Sequence, residues 1–260
     1  MIVAIAAQKG GTGKTTTAAA LAAGLTIRGF KVLLVDLDQQ GSLSFITGAD
    51  LQGKTTLGLL TREIQAEEAI QHTATADIIP AGKSLVAAEA TLKETGGEYR
   101  LREALEPIRA EYDFIILDCP PALNSLTINA LTAADEVIIP TQADILSLKG
   151  ITQLYDSCQL VKKYTNKSLH IAGVLLTRHS SRAVIKRDLE EVLREQITGQ
   201  MQTKTYKACI REGVAVNEAQ YLQQSIFQYS PRSKAASDYH AFIEEFLHDV
   251  HEAQKGGQQK

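Results

Sequence analysis

The sequence predicts an α/β fold, a doubly wound and mostly parallel sheet flanked by helices. Short runs rich in β-branched residues alternate with longer helical patterns along the 260 residues, which is the order that crossover helices between parallel strands produce. The strand runs are nearly continuous in apolar residues, as expected where helices cover both faces of a sheet. The length suits one sizeable domain, which we predict over residues 1–252, followed by a flexible polar tail at 253–260.

The strand pattern recurs from the first residues to the last third of the chain. Five strands are predicted at residues 2–7, 31–36, 113–118, 136–140 and 170–177. Two shorter runs, at residues 77–80 and 225–229, are also predicted as strands. Because the chain runs directly from its first residues into a glycine loop, we interpret the N-terminus as a strand and not as a signal peptide.

Helical patterns occupy the segments between these strands. Residues 15–28 are rich in Ala and Leu, and Gly29 supplies a stop signal. Residues 183–197 place leucine-type residues on one face and charges on the other. The stretch "SPRS" at residues 230–233 looks like an N-cap followed by a proline at the first helical position. The helix that it opens is predicted to run to about residue 251.

Composition excludes several classes of protein. A net charge of −3 and a pI of about 6.1 argue against a constitutive, strongly basic nucleic-acid binder, although a local basic face remains compatible with them. No run of about 18 apolar residues exists, so no membrane-spanning helix is predicted. Cys119, Cys158 and Cys209 are scattered, without a C-x-x-C pair or Cys/His zinc spacing, which fits a reducing cytosolic setting. We interpret Cys119 as a small buried residue.

The stretch "QKGGTGKTTT", residues 8–17, has the context of a phosphate-binding loop. A strand precedes its glycines and a helix follows them, so that backbone N–H groups and the helix N-terminus face one anion. Lys14 is predicted to pair with the β- and γ-phosphates of ATP, Thr15 to bind Mg²⁺ and Thr16 to contact the α-phosphate. The full predicted ATP-binding set is Lys9, Gly10, Gly11, Thr12, Gly13, Lys14, Thr15 and Thr16. The alternative without a phosphate-binding role is a glycine-rich turn with surface lysines. The flanking strand and helix disfavour it.

The loop departs from the usual pattern, because Gln8 stands where its first glycine is expected and a second lysine, Lys9, is present. With that lysine, the segment resembles the deviant Walker A motif of the ParA/MinD superfamily. Three further segments resemble that family: the switch segment at 33–42, the Walker B strand at 112–121 and the opening of the last helix at 231–239. The resemblance covers nearly the whole chain and is closest to the short ParA/Soj-type partition ATPases.

The resemblance assigns roles to the two lysines and to three aspartates. Lys9 would reach across a homodimer to the partner's nucleotide, acting as a cation supplied in trans, and with Lys14 and Asp38 it makes up the predicted catalytic set. Asp38 would position the attacking water, although Gln39 replaces the proline that usually follows it. Asp118 ends an apolar strand, where a carboxylate is unfavourable unless it meets a cation or several hydrogen-bond donors. A Walker B role at Mg²⁺ would supply the cation. The alternative is that Asp118 is a turn residue at the end of a strand. Asp36 would lie near the same ion, which makes Thr15, Asp36 and Asp118 the predicted metal set.

A DNA role depends on basic residues in the second half of the chain. Arg182, Lys186 and Arg187 lie at the start of one predicted helix, and Arg211 is added to them as a predicted contact with nonspecific double-stranded DNA. Further basic residues that could add to this DNA-binding surface are Arg178, Lys204, Lys207, Arg232 and Lys234. The alternative is that these charges are simply solvated. The segment at 210–219 differs from its family counterpart, since Glu212 and Ala215 replace two arginines, which predicts a less basic loop and leaves the adenine contacts open.

The resulting hypothesis is a cytoplasmic ParA-like ATPase for plasmid or chromosome partitioning. Its ATP-bound sandwich dimer would bind nonspecific DNA, associate with the nucleoid, and be released when a ParB-like partner stimulates slow ATP hydrolysis. Membrane binding is not expected, because the C-terminal segment is acidic up to Glu252 and then lacks apolar residues. Two alternatives stay open: an ATPase of this fold that positions a protein cargo or a cell-division or secretion component without DNA, and a nucleotide-dependent scaffold with negligible hydrolysis.

Overall fold

The computed structural model describes residues 1–179, 184–201 and 203–257, with the side chains of 145–146, 184–189, 200 and 256–257 left out. Within this part of the chain, one sheet contains eight strands in the order β3-β4-β2-β5-β1-β6-β7-β8. They are β1 Ile2–Ile5, β2 Val32–Asp36, β3 Gln71–His72, β4 Asp77–Ile79, β5 Phe114–Asp118, β6 Glu136–Thr141, β7 His170–His179 and β8 Thr205–Arg211. Only the β3–β4 pair is antiparallel, so the predicted doubly wound, mostly parallel sheet is confirmed.

Helices cover both faces of this sheet. The described α-helices are α1 Lys14–Ile27, α2 Ser42–Ile46, α3 Thr56–Leu60, α4 Ala66–Ala69, α5 Ala88–Leu92, α6 Arg100–Leu105, α7 Ser125–Ala133, α8 Ile145–Tyr164, α9 Val184–Met201, α10 Val214–Tyr221, α11 Ile226–Tyr229 and α12 Lys234–Gly257. Short 3-10 segments lie at Lys83–Ala87, Gly97–Tyr99 and Glu106–Glu111. Side chains that alternate along β1 contribute to two separate cores: Ile2 belongs to the core that includes α6 and α7, and Val3 to the core that includes α1 and α12.

The first helix packs very closely against the last one. A Cβ atom built on Gly24 of α1 would lie 2.2 Å from Cδ1 of Ile243 on α12, so a larger residue at this position would require the Ile243 side chain to move. This contact fixes the end of the chain beside the helix that follows the glycine loop. The loop therefore rests on a helix that is held from both sides, by the sheet and by α12.

The prediction of a strand at residues 225–229 is wrong, because Ile226–Tyr229 forms a short helix. The Ser225 hydroxyl accepts a hydrogen bond from the Gln228 amide at 3.2 Å and so caps this helix. Ile226 and Phe227 are buried in the same core as α1. A short apolar run is compatible with either structure, and here the serine before it and the packing after it decide in favour of a helix.

The start of the last helix also differs from its prediction. Ser233, not Ser230, provides the cap, since its hydroxyl accepts a hydrogen bond from the Ala236 amide at 3.2 Å and α12 begins at Lys234. Pro231 therefore lies in the preceding turn. At its other end α12 continues through Gly257 instead of stopping near residue 251. The division of the chain into a domain at 1–252 and a tail at 253–260 stays a prediction.

Candidate functional site

The glycine loop connects the carboxyl end of β1 to the first turn of α1. Gly11 and Gly13 have φ angles of 74° and 84°, a backbone conformation that residues with a Cβ atom rarely adopt. Gly13 immediately precedes the helix, which begins at Lys14. A glycine loop that ends at a helix N-terminus is a geometry that can bind an anion through backbone amides. Burial lowers the pKa of Lys14, and the nearby Asp118 opposes that shift.

Three residues far away in sequence hold the loop in place. The Thr177 hydroxyl at the end of β7 donates to the Thr12 carbonyl at 2.7 Å. The Gln142 amide group donates to the Gly11 carbonyl at 2.9 Å, and the Gln220 amide group donates to the Thr16 hydroxyl at 2.8 Å. None of these three residues has a role predicted from the sequence. The position of Thr177 at the end of a predicted parallel strand was the available signal, since such ends meet at one edge of the sheet.

Asp118 is the most unusual carboxylate at this edge. Its side chain is fully buried, and neither of its oxygens has a hydrogen-bond partner among the described residues. Burial raises its pKa well above the usual value and the neighbouring Asp36 adds to that shift, while the nearby Thr15 hydroxyl and Lys14 oppose it. A buried carboxylate without donors is unfavourable unless a cation approaches it. Buried beside Thr15 and Lys14, these oxygens fit the environment of a hydrated magnesium ion.

Asp36 lies directly opposite Asp118 in the parallel register of β2 and β5, but its oxygens are already used. The Ser44 amide and hydroxyl donate to one oxygen at 2.9 and 2.6 Å, and the Asp38 amide donates to the other at 3.1 Å. Burial raises the pKa of Asp36 to about 6 against the opposing effect of these hydrogen bonds. The contacts therefore tie Asp36 to the segment after β2, and they favour Asp118 over Asp36 as the group that faces the ion.

Asp38 lies beyond the end of β2 and faces the main cavity of this edge. The cavity has a volume of about 680 Å³, which suits a nucleotide, and glycines of the loop, Lys14 and Thr15 line it together with Asp38. One carboxylate oxygen of Asp38 accepts from the Gln40 amide at 3.0 Å, and the Gly41 amide closes the turn on the Asp38 carbonyl at 2.8 Å. The segment from Ile210 to Gly213 also lines this cavity.

Lys9 does not point into this cavity. Its ammonium group donates to Asp144 at 2.7 Å, and both side chains are about one-third exposed, 35% and 33%. Asp144 also caps α8 by accepting from the Ser147 amide at 2.9 Å. Burial would raise the pKa of Asp144, yet the hydrogen bonds from Lys9 and Ser147 hold it below its usual value. Within one chain, the second lysine of the loop is thus held by a carboxylate, away from the nucleotide cavity.

The predicted DNA contacts are only partly described. Arg182 lies outside the described residues, and so do the side chains of Lys186 and Arg187 on α9. Arg211 forms an ion pair with Asp238, and Arg178 forms one with Glu212 at 2.9 Å. Lys204 immediately precedes β8 and pairs with Glu245 and Asp249. It therefore lies at the amino end of this strand, whereas Arg211 lies at the carboxyl end. The role of the predicted basic residues in DNA binding stays a prediction. Cys119 is fully buried, as predicted.

Comparisons with known proteins agree with this geometry. A protein-family profile described as "AAA domain" matches residues 1–171. The sporulation initiation inhibitor protein Soj of Bacillus subtilis is 41% identical over 244 residues, covering 92% of this chain and 94% of Soj. The chromosome partitioning protein ParA of Myxococcus xanthus is 36% identical over 253 residues, covering 95% of this chain and 87% of its own.

Among solved structures, a Mycobacterium smegmatis protein described as cobyrinic acid a,c-diamide synthase, with bound ADP and magnesium, superimposes with a TM-score of 0.78. It is 33% identical, and the match covers 95% of this chain and 93% of that one. Among the described helices, none combines the length and the apolar character that crossing a membrane requires.

Proposed function

The chain belongs to the ParA/MinD superfamily of P-loop ATPases, and on this basis we propose that it is a partition ATPase that switches with its nucleotide. The observation that carries the ATPase part is the buried carboxylate of Asp118 beside Lys14 and Thr15, which has no hydrogen-bond partner among the described residues. The partition part is supported by the similarity to Soj and to ParA along nearly the whole chain. The cofactors are ATP and Mg²⁺, in line with the ADP and magnesium of the M. smegmatis structure.

Each residue of the loop has a defined task in this proposal. The backbone amides of Gly10 to Thr16 surround the phosphates, and Lys14 pairs with the terminal ones. Thr15 and, through water, Asp118 would hold Mg²⁺, which neutralises negative charge on the β- and γ-phosphates when it is bound. Asp38 orients the water that attacks the γ-phosphate, because it lines the cavity, whereas the other carboxylate of the lining, Glu212, is paired with Arg178. The Asp36 carboxylate keeps the Asp38 turn in place through the Asp38 amide.

Dimerisation is proposed to begin with the release of Lys9 from Asp144. An ion pair with both partners one-third exposed is worth about 0–1 kcal/mol, so the phosphates of a partner's ATP can outcompete it. Lys9 would then contribute to the partner's site in the sandwich dimer. The γ-phosphate becomes a condition for assembly, and its hydrolysis, stimulated by a ParB-like partner, releases the dimer.

Substitutions at the two partners should change dimerisation in opposite directions. We expect Lys9→Ala to abolish ATP-dependent dimers, because the cation supplied in trans is lost. Asp144→Asn keeps the cap of α8, since asparagine caps helices as well as aspartate, but removes the charge that holds Lys9. Its dimers should form at about two- to fivefold lower protein concentration. Sedimentation velocity with ATP and with ADP measures both effects. Dimers of Lys9→Ala that match the wild type, or weaker dimers of Asp144→Asn, would contradict the proposal.

The DNA-binding step is tested by titrating nonspecific double-stranded DNA with ATP or ADP at several salt concentrations. We expect binding only with ATP, and a log affinity that falls linearly with log salt by about 0.9 for each phosphate contact. Reversing the charge at Arg182, Lys186 and Arg187 together should abolish binding, whereas Lys162→Glu on the exposed side of α8 serves as the single-charge control. DNA binding of this kind would place the ATP-bound protein on the nucleoid, within the cytoplasm.

The second candidate is an ATPase of the same fold that positions a protein cargo without DNA. The ion pairs of Arg211 with Asp238 and of Arg178 with Glu212 favour it, because each neutralises a basic residue that the DNA proposal would use. ATP-dependent dimers that ignore DNA at every salt concentration would support this candidate and overturn the first.

A further inference from the structure

Three potential metal ligands of different chemical type meet at the edge of the sheet beyond the nucleotide cavity. His179 is the last residue of β7, Cys209 lies on β8 and Glu190 lies on α9. Nε2 of His179 is 3.0 Å from Oε2 of Glu190, and Sγ of Cys209 is 3.9 Å from Oε1 of Glu190. One donor atom from each residue lies within 4.8 Å of the other two. Among the described residues, this is the group of His, Cys, Asp and Glu side chains with such convergence.

We propose that His179, Glu190 and Cys209 form a zinc-binding site. Imidazole nitrogen, carboxylate oxygen and thiolate sulfur are the donors that zinc accepts in proteins, and Mg²⁺ and Ca²⁺ avoid sulfur. Zn–N and Zn–O bonds of about 2.0 Å and a Zn–S bond of about 2.3 Å place tetrahedral ligands roughly 3.3–3.6 Å apart. The donor atoms lie within 4.8 Å of one another and must approach by about 1 Å through side-chain rotation to reach that geometry. A water molecule would complete the fourth position, and the Cys209 thiol would release its proton on binding.

Arg194 contacts two of the three proposed ligands, Glu190 and Cys209. Its guanidinium group donates to Oε1 of Glu190 at 3.0 and 2.9 Å, and to the Tyr206 carbonyl at 3.1 Å. This leaves Oε2 of Glu190, the oxygen next to His179, as the one that binds the metal, while Arg194 keeps the carboxylate oriented. The same group also lies 3.3 Å from the Cys209 sulfur, and this is the contact that zinc would replace. Without metal, Arg194 and Glu190 form an ion pair that keeps the cluster together.

The position of the site gives it a structural consequence. A zinc ion here would connect α9 to two strands of the sheet, β7 and β8. His179 comes two residues after Thr177, whose hydroxyl holds the glycine loop. The ion would therefore fix α9 relative to the edge of the sheet that carries the nucleotide cavity. This inference does not depend on the proposed partition function.

The test uses the full chain without nucleotide, freed of metal and kept under a phosphine reductant. Zn²⁺ is titrated calorimetrically, and Co²⁺ serves as the spectroscopic probe, since thiolate ligation gives a charge-transfer band and tetrahedral geometry gives intense d–d bands. We expect one Zn²⁺ per chain and both kinds of Co²⁺ band. Cys209→Ser should remove the charge-transfer band, and His179→Gln should weaken Zn²⁺ binding by at least about tenfold.

A matched control separates this site from other histidine–carboxylate pairs. His170 lies at the other end of β7 and pairs with Glu136 at 2.8 Å, so His170→Gln should leave Zn²⁺ binding unchanged. The sulfur band distinguishes the cluster from any binding of metal at Asp36, Asp38 and Asp118. Absence of stoichiometric Zn²⁺ binding in the wild type would overturn the proposal and leave an ion-pair network organised by Arg194. Binding that survives unchanged in both Cys209→Ser and His179→Gln would overturn it as well.

Discussion

Replacing Asp118 with asparagine is expected to abolish magnesium-dependent ATP hydrolysis and, at the same time, to stabilise the nucleotide-free protein. The catalytic loss is expected because Asp118 is the carboxylate proposed to hold Mg²⁺. A bound metal ion stabilises charge in the transition state by several kcal/mol. The gain in stability follows from burial, because neither oxygen of Asp118 has a hydrogen-bond partner among the described residues. An asparagine side chain of the same shape avoids the unfavourable burial of a charge and should add about 1 kcal/mol to the free energy of unfolding.

The stability difference should depend on pH. Burial raises the pKa of Asp118 in the folded protein above its unfolded value, so the wild type loses stability as the pH rises through the folded pKa. Asparagine does not titrate, so the advantage of the variant should grow toward neutral pH and vanish in acid, where the wild-type carboxyl is protonated in both states. Thermal unfolding without nucleotide at several pH values measures this, with a rise of roughly 2–4 °C expected at neutral pH.

Asp156→Asn is the matched control, since Asp156 lies exposed on α8 and its substitution should change neither turnover nor stability. A variant Asp118→Asn that keeps its turnover would contradict the magnesium role. A variant that is less stable than the wild type at neutral pH would show that the buried carboxylate has partners beyond those that the structure describes.

The second large effect is expected at Asp38. Asp38→Ala should slow ATP hydrolysis by about 10²–10⁴-fold while ATP affinity changes little, because the residue lines the cavity but lies outside the glycine loop. Single-turnover hydrolysis and equilibrium binding of a fluorescent ATP analogue separate the two quantities. The expected product of slow hydrolysis is a long-lived ATP-bound state.

Asp38→Asn distinguishes chemistry from loop structure. Its amide oxygen can still accept the hydrogen bond from the Gln40 amide that holds the turn, yet it cannot act as a carboxylate toward water. If Asp38 positions the attacking water through its charge, both variants lose turnover. Recovery of turnover in Asp38→Asn would instead assign the residue to the conformation of the turn.

Parts of the fold and of the site can be predicted from short segments of the sequence. Five predicted strands and the strand at 77–80 are found in the structure, because a run of apolar residues that is buried on both faces has few other solutions. The loop from Gly10 to Thr16 can also be predicted from a short segment, because its glycines and the following helix are adjacent in the chain. By contrast, β8 was not predicted, because it is an edge strand whose buried and exposed residues do not alternate cleanly. The segment at 226–229 was predicted wrongly, because a short apolar run carries no periodicity of its own.

What the sequence determined by itself is therefore the class of the protein: a parallel α/β sheet, a phosphate-binding loop with a second lysine, and an aspartate at the end of the strand beside it. What only the tertiary structure decided is which groups those residues meet. Lys9 and Asp144 are 135 positions apart, and Cys209 meets Glu190 and His179 across two strands and a helix. Ser44 donates two hydrogen bonds to Asp36, and Asp118 is the carboxylate that we propose for the ion. Pairings of this kind depend on strand order and register, and these follow from the packing of the whole sheet and from no local pattern.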